Sequence, residues 1–296
     1  MKKWLIIAAL LIVVGCVAFV VTMAALDWDF TRLSTTQYDT NTYTASEDFS
    51  KIHIFTEEAD VLFALSDDNT CKVLCQEEAN ARHAVDVQND SLYIRVQNEK
   101  KWYEYIGIHF GSPKITVYLP QSQYDALFIQ SDTGDVTVPE EFQFNIMDIS
   151  VSTGDVKSYA AAVDTMKIET STGDIRLENV TTKMLQLNVS TGDVYLSNVR
   201  CQSLNTKGST GDIQLKNVVA EGRFAIERST GNVKFEHCDA TEIYVQTDTG
   251  DVTGSLLSDK VFLTKTSTGT IRVPKTTTGG TCSITTSTGN IKLEIQ

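Results

Sequence analysis

Apolar and polar residues alternate along most of the chain, which is the pattern of half-buried β-strands. In residues 173–191, Ile175 and Leu177 belong to one alternating run, and residues 185–189 form a second. Asn179 stands between the two runs and interrupts the alternation. A unit of this kind predicts two short strands joined by two corners.

The first corner carries the sequence Ser-Thr-Gly-Asp-Val/Ile or a close variant, and its glycine returns every 19 or 20 residues. A fixed period of this length is typical of stacked repeat architectures. Glycine adopts positive φ without steric cost, so we expect a structural role for it as the residue with positive φ in the turn. The corner glycines are Gly134, Gly154, Gly173, Gly192, Gly211, Gly231, Gly250, Gly269 and Gly289.

The second corner carries Asn179, Asn198, Asn217 and, in one repeat, His237. Asparagine tolerates the left-handed region better than most residues, which suits a tight corner. One such unit cannot bury its own apolar face, so its neighbours must stack on it.

The fold class predicted is therefore all-β, a β-solenoid of about nine regular coils in residues 131–296. At about 4.8 Å per coil, nine coils make a rod about 40 Å long. An antiparallel meander folded into a sandwich is the alternative topology.

The N-terminus predicts one transmembrane helix. Lys2 and Lys3 precede 23 uncharged residues, 4–26, and about 20 apolar residues suffice to cross a bilayer. Because flanking lysines stay inside, the rest of the chain is expected outside the cell as a single-pass membrane protein. Residues 1–26 are thus a transmembrane anchor or uncleaved signal. A cleaved signal peptide and lipidation at Cys16, which follows Val-Val-Gly, are the alternatives.

The remaining chain divides by its turn signals. Residues 27–48 are polar and rich in Thr and Ser, which predicts a linker. Residues 49–130 alternate like strands but lack the glycine corner, so they predict degenerate coils or a cap. A separate small β domain is the other interpretation of 49–130.

One segment, Lys100–Phe110, concentrates aromatic residues between two predicted strands. Trp102, Tyr103, Tyr105 and Phe110 predict a contact patch for a glycan, a protein partner or the membrane surface. A loop packed over the open end of the core is the competing interpretation.

The sequence reaches Gln296 within a coil, and an open coil edge invites pairing with another chain. We therefore expect end-to-end self-association as one mode of partner binding, although Lys292 and Glu294 blunt that edge.

The formal net charge of −13 argues against a nucleic-acid partner, which requires clustered cations, and is compatible with cationic peptides. The six cysteines predict no disulfide framework, and no spacing resembles a zinc site. No catalytic residue, metal or cofactor is predicted.

Two patterns resemble functional motifs. The column of aspartates after the glycines is expected to cap turns, with shared cations as the alternative. Asp132 and Asp248 each open an Asp-Thr-Gly triplet like those of aspartic proteases, but serine fills the same slot in the other repeats. At six coils apart, about 29 Å, these aspartates cannot share a proton.

The lysine-flanked apolar N-terminus, the segment Lys114–Pro120 (KITVYLP) and the serial STGDV/STGDI coils together resemble a bacterial family of domains of unknown function labelled "putative adhesin". The resemblance spans about residues 49–296. It implies an envelope protein of mainly Gram-positive bacteria, with some relatives tied to envelope-stress responses, and it supplies no catalytic residues.

Three functions remain open from the sequence. The leading hypothesis is a non-catalytic, membrane-anchored extracellular binding or structural module. The second is a sensor or regulatory partner in an envelope-stress or antimicrobial-peptide response. The third is a polysaccharide-acting enzyme, which would need a carboxylate cluster in a groove.

Overall fold

The computed structural model describes residues 2–29, 38–102 and 111–296. Its one described helix is α1 (Lys2–Ala25), and the rest is built from strands. The described strands are β1 (Tyr38–Ala45), β2 (Lys51–Thr56), β3 (Asp60–Leu65), β4 (Cys71–Glu78), β5 (Ala81–Gln88), β6 (Ser91–Asn98), β7 (Lys114–Leu119), β8 (Gln123–Thr133), β9 (Val136–Val138), β10 (Gln143–Thr153), β11 (Val156–Ser158), β12 (Ala161–Thr172), β13 (Ile175–Glu178), β14 (Thr181–Thr191), β15 (Val194–Ser197), β16 (Arg200–Thr210), β17 (Ile213–Lys216), β18 (Val219–Thr230), β19 (Val233–Thr249), β20 (Val252–Leu256), β21 (Lys260–Thr268), β22 (Ile271–Arg272), β23 (Gly280–Thr288) and β24 (Ile291–Ile295).

The strands form two columns of parallel neighbours, which confirms the predicted β-solenoid. Long strands such as β10, β12 and β14 stack in one column, and short strands such as β11, β13 and β15 stack in the other. Each repeat crosses once from the long column to the short one at its glycine corner. The inward residues of both columns, such as Ile168, Leu187 and Ile175, are fully buried and form one continuous core.

The glycine corner brings successive coils closer than a side chain permits. All nine corner glycines have φ between +129° and +158°, so the predicted positive φ is confirmed but exceeds the roughly +80° of a type II turn. A Cβ built on Gly173 would lie 2.1 Å from the carbonyl oxygen of Gly154 in the preceding coil. Glycine is therefore required both by the backbone angle and by contact between coils.

Side-chain ladders reinforce both corners. At the first corner, Oδ1 of each Asp or Asn accepts the backbone N–H of the residue stacked on it, at 2.7–3.0 Å. At the second corner, Asn198 donates to Oδ1 of Asn179 and Asn217 donates to Oδ1 of Asn198, both at 3.0 Å. These asparagines have φ of +52° to +58°, which confirms the expected left-handed conformation.

At the C-terminal end the coils do not stack in chain order. Strand β23 lies between β19 and β21, and β24 lies between β20 and β22. The last coil in the sequence is thus inserted beneath the coil that precedes it. The expectation that the final coil forms the open edge is corrected: β24 pairs with β20 along its whole length and with β22 at Ile291 and Lys292, and the outermost coil is β21–β22.

The N-terminal end shows the same rearrangement. Strands β2 and β3 lie between the coil β6–β7 and the first regular coil, β8–β9. In this coil Ala59 takes the place of the corner glycine, and Asp60 begins the aspartate ladder by accepting the N–H of Asp135. The regular stack therefore begins at residue 51, with a coil that the glycine pattern does not reveal.

Antiparallel strands extend the N-terminal end. Strand β5 pairs with β6, β4 pairs with β7, and β1 pairs with β4. The predicted linker 27–48 is therefore wrong over β1, because Asn41 and Tyr43 bind a buried carboxylate on β4 and hold this segment in the sheet.

Helix α1 is apolar along its length. Residues Lys3–Ala25 have a mean hydropathy of 3.1, and all of them except the buried Met23 are exposed. Its length and composition suit a membrane span or a signal sequence.

One buried cation interrupts the core. Nη1 of Arg228 crosses Gly208 to donate to the carbonyl oxygen of Val189 at 2.8 Å. A Cβ on Gly208 would meet that nitrogen at 1.8 Å, so the small residue makes room for the guanidinium. Burial lowers the pKa of Arg228, and Asp193 and Asp212 oppose that shift.

We expect the substitution Gly173→Ala to destabilise the rod by at least about 2 kcal/mol, because it adds a strained φ and a clash with the Gly154 carbonyl. Thermal unfolding followed by circular dichroism measures the effect. The adjacent, exposed Thr172→Ala is the control and should change stability little. Equal effects of the two substitutions would contradict the corner-packing argument.

The ladder predicts different outcomes for two substitutions of Asp174, whose Oδ1 accepts the N–H of Asp193 at 2.8 Å. Asp174→Ala should cost about 1 kcal/mol, because the hydrogen bond is lost. Asp174→Asn should keep stability near that of the wild type, since Asn232 already performs this role for Asp251. Urea unfolding distinguishes them, and an equal loss of stability for the two variants would show that the charge, and not the hydrogen bond, matters.

Candidate functional site

A buried carboxylate lies at the N-terminal end of the stack. Glu77 continues the inward face of β4 after Val73 and Cys75, and its side chain is fully buried. Its Oε2 accepts the backbone N–H of His83 at 2.6 Å and contacts Nδ1 of His83 at 2.8 Å. Its Oε1 accepts hydrogen bonds from Asn41 at 2.8 Å and Tyr43 at 3.2 Å. Four contacts therefore compensate the desolvation of one carboxylate.

The second ring nitrogen of His83 faces a hydroxyl group. Nε2 lies 3.3 Å from Oγ1 of Thr56, and both residues line a small pocket of about 20 Å³. At the wall of this pocket, Nζ of Lys100 lies 3.0 Å from Oε1 of Glu78 and 3.8 Å from Oε2 of Glu58. The pocket thus combines an imidazole, a hydroxyl group and a lysine neutralised by two carboxylates.

The order carboxylate, imidazole and hydroxyl resembles the arrangement that activates a nucleophile in hydrolases. Here Thr56 is only 6% exposed, and its contact with His83 is longer than the usual reach for proton transfer. The geometry suits a rigid connection between β2, β4 and β5 better than attack on a substrate.

The same neighbourhood contains potential metal ligands. One ligand atom each of Cys75, Glu77 and His83 lies within 4.8 Å of the others. Both oxygens of Glu77 already accept hydrogen bonds, and burial together with Glu77 raises the pKa of the Cys75 thiol to about 12. A metal would have to displace these hydrogen bonds and deprotonate the thiol, so the residues fit a hydrogen-bonded network better. The sequence prediction of no metal site remains a prediction.

Sequence reasoning missed this network because its members come from β1, β2, β4 and β5. The only signal was a glutamate, Glu77, at an inward position of an otherwise apolar run. Such a residue is rarely buried unless it is paired, which in retrospect points to a partner. Burial and Glu77 also raise the pKa of Tyr43 to about 12.

Of the predicted contact patch, one member is within the described residues. Trp102 is 77% exposed and follows Lys100, which lines the pocket wall. Tyr103, Tyr105 and Phe110 lie outside the described residues, so their joint surface stays a prediction.

A second aromatic cluster, absent from the sequence analysis, lies on the outer face of the long column. The ring of His53 stacks on Tyr93 and on Phe128, each at 4.8 Å between centroids, and Arg95 lies over Tyr93 at 4.1 Å. Stacking of separate coils brings these rings together, because each is the outward residue at one register position.

A groove on the short column bears on the enzyme hypothesis. It is lined by residues from four coils, including Glu178 and Glu236. These carboxylates lie three coils apart, about 14 Å, which exceeds the spacing of glycosidase pairs. Arg176 pairs with Glu178 at 2.8 Å and Lys216 pairs with Glu236 at 2.9 Å, so neither carboxylate is an isolated acid.

The cysteines and the Asp-Thr-Gly triplets follow expectation. All six cysteines are free, and Cys71, Cys201 and Cys282 are among the five that are buried. Parallel register places Asp132 and Asp248 at equivalent positions six coils apart.

A family profile described as Toastrack DUF4097 matches residues 49–294. The chain belongs to the Toastrack DUF4097 family. The match begins before the glycine corners, so this Toastrack domain includes the irregular N-terminal coils together with the regular ones.

Two solved structures are similar to this chain at low sequence identity. A "putative lipid binding protein" from Parabacteroides distasonis is 16% identical with a TM-score of 0.51, covering 88% of this chain and 98% of its own. A "putative adhesin" from Bacteroides fragilis is 17% identical with a TM-score of 0.47, covering 88% and 99%. The first similarity supports the fold alone. No curated protein matches the chain.

We expect Glu77→Ala to destabilise the N-terminal end by about 3 kcal/mol, because it leaves His83, Asn41 and Tyr43 with unpaired polar groups. Gln76→Ala, on the exposed face of the same strand, is the matched control and should be nearly neutral. Hydrogen exchange of β4 and β5 measures the loss, and unchanged protection would contradict the proposed role of the network.

The stack around His53 predicts a pH dependence. Burial, together with Lys51 and Arg95, lowers the pKa of His53 below its ordinary value. The unfolded chain therefore binds a proton more readily, and stability falls as the pH drops through about 6.5. His53→Phe should preserve stacking and remove this component, so its melting temperature should fall less than that of the wild type between pH 7.5 and pH 5.5. Parallel pH profiles for both proteins would contradict this assignment.

Proposed function

We propose that this chain is a non-catalytic, membrane-anchored binding module whose solenoid lies outside the cell. The observation that carries the proposal is α1: it is apolar after Lys3, and its side chains from Trp4 to Thr22 are exposed. An apolar helix of this length is stable in a bilayer, whereas water would make its exposure costly. The flanking lysines favour an internal N-terminus and an external solenoid.

The contact patch of Trp102, Tyr103, Tyr105 and Phe110 is the proposed binding surface for an envelope component. Trp102 supports it, because its side chain is 77% exposed and tryptophan is enriched at interfaces. The ligand classes in question are a surface glycan and a protein partner. Binding without catalysis also accords with a buried Thr56 and with paired carboxylates in the groove.

The location is tested by labelling intact cells that produce the full chain with a membrane-impermeant amine reagent. Lys183 has a side chain 66% exposed and should be modified in intact cells. The chain should also remain in the membrane fraction after a high-salt wash. Release into the medium would indicate a cleaved signal, and labelling only after lysis would overturn the external location.

The binding surface is tested with a four-fold variant in which Trp102, Tyr103, Tyr105 and Phe110 become Ser. Binding of the detergent-solubilised full chain to an array of glycans and cationic peptides is measured. The variant should lose at least tenfold in affinity for a glycan, whereas Leu257→Ser, at an exposed apolar residue outside the patch, should not. Selective binding of cationic peptides that is unchanged in the variant would instead favour a sensor of such peptides.

A further inference from the structure

The C-terminal end of the stack is an unfinished coil. Within the described residues, β21 pairs only with β23 among the strands of its column, and β22 pairs only with β24 in the other. One edge of the nine-residue β21 thus keeps backbone N–H and C=O groups that no strand of the solenoid satisfies.

The core is also uncovered there. Cys282, Ile284 and Ile291 are fully buried, but the residues at the same positions one coil outward are not. Ile271 is 43% exposed, and Phe262 is only partly buried. Apolar surface that every inner coil hides remains accessible to solvent at this end.

The charge of this end is opposite to that of the whole protein. From residue 260 to residue 293 the chain has five cations and no acidic residue, although the net charge is −13. Lys260 is paired with Asp239 at 2.6 Å, whereas Lys265, Arg272 and Lys275 are exposed. Arg272 moreover stands directly beside Lys292 in the parallel register, and like charges at adjacent positions repel.

We propose that the β21–β22 end docks an extended, acidic segment of another polypeptide, which adds a strand to β21. Its backbone pairs with the open edge of β21, its inward apolar side chains cover Phe262 and Ile271, and its outward carboxylates neutralise Lys265. Arg272, on the other column, adds to the positive charge that attracts the segment. This is strand addition with charge complementarity, and it depends on neither the membrane anchor nor the Trp102 patch.

The same charges disfavour a second copy as the occupant. Joining two of these ends would bring Lys265, Arg272 and Lys275 of both chains together, and the exposed Asp259 before each β21 offsets only part of that positive charge. End-to-end self-association therefore accounts for this surface less well than an acidic partner does.

The test uses the full chain in detergent micelles and a fluorescent nine-residue peptide of alternating valine and glutamate, followed by anisotropy. Its length matches β21. We expect the peptide to bind at least tenfold more tightly than its valine–lysine counterpart. Methylation of alternate peptide nitrogens, which removes strand-pairing donors, should weaken binding at least tenfold.

Charge reversal locates the site. The double variant Lys265→Glu and Arg272→Glu should bind the glutamate peptide at least tenfold more weakly and the lysine peptide more tightly than the wild type does. Its melting temperature should match that of the wild type. Lys183→Glu, on the side of the rod, is the matched control and should bind normally.

Three results would overturn the proposal. The first is that the glutamate peptide does not bind. The second is that it binds regardless of methylation and is displaced equally well by polyphosphate. The third is that the chain associates with itself and that the double variant abolishes this association. The second would reveal a general polyanion site, and the third an interface between copies.

Discussion

The close parallel stacking of one coil on the next is the interaction on which this fold depends. Backbone hydrogen bonds continue through the corner, where the N–H of Gly173 donates to Thr191 and that of Ile175 donates to Asp193. The corner carbonyl of each coil occupies the space that a Cβ on the next glycine would need. The repeat period, the corner glycine and the aspartate ladder therefore all follow from the close stacking of coils at this corner.

A fold that grows by stacking must also end, and its two ends differ. At the N-terminal end antiparallel strands β4 and β5 extend the sheet, and β1 contributes Asn41 and Tyr43 to the buried Glu77. At the other end β21 and β22 leave both backbone and core open. The two ends of the solenoid therefore differ: antiparallel strands cover the core at the N-terminal end, whereas the β21–β22 end leaves it accessible.

The side chains that are capable of acid–base chemistry are held mainly in structural contacts. His83 is held by Glu77 and contacts the buried Thr56, while Glu178 and Glu236 are each paired with a cation. What remains exposed and unusual is Trp102 and the cationic end coil. These two surfaces are the ones on which the proposed binding depends.

Much of this protein followed from local pattern. Alternating residues determined the strands, the recurring glycine determined the corner, and Asn179 and its equivalents determined the second corner, because backbone geometry at these points admits few residue types. The apolar helix α1 followed from composition in the same way. Nothing local, however, distinguishes one coil's partner from another's.

Only the tertiary structure decided the order of stacking, because every coil presents a similar apolar wall and a similar edge. It therefore alone showed that β23–β24 is inserted beneath β21–β22, and that Ala59 substitutes for a corner glycine. It likewise brought together Glu77, His83 and Thr56, whose contacts join strands distant in the chain. A period specifies what each coil is, whereas packing free energy summed over whole surfaces specifies which coil lies next to which.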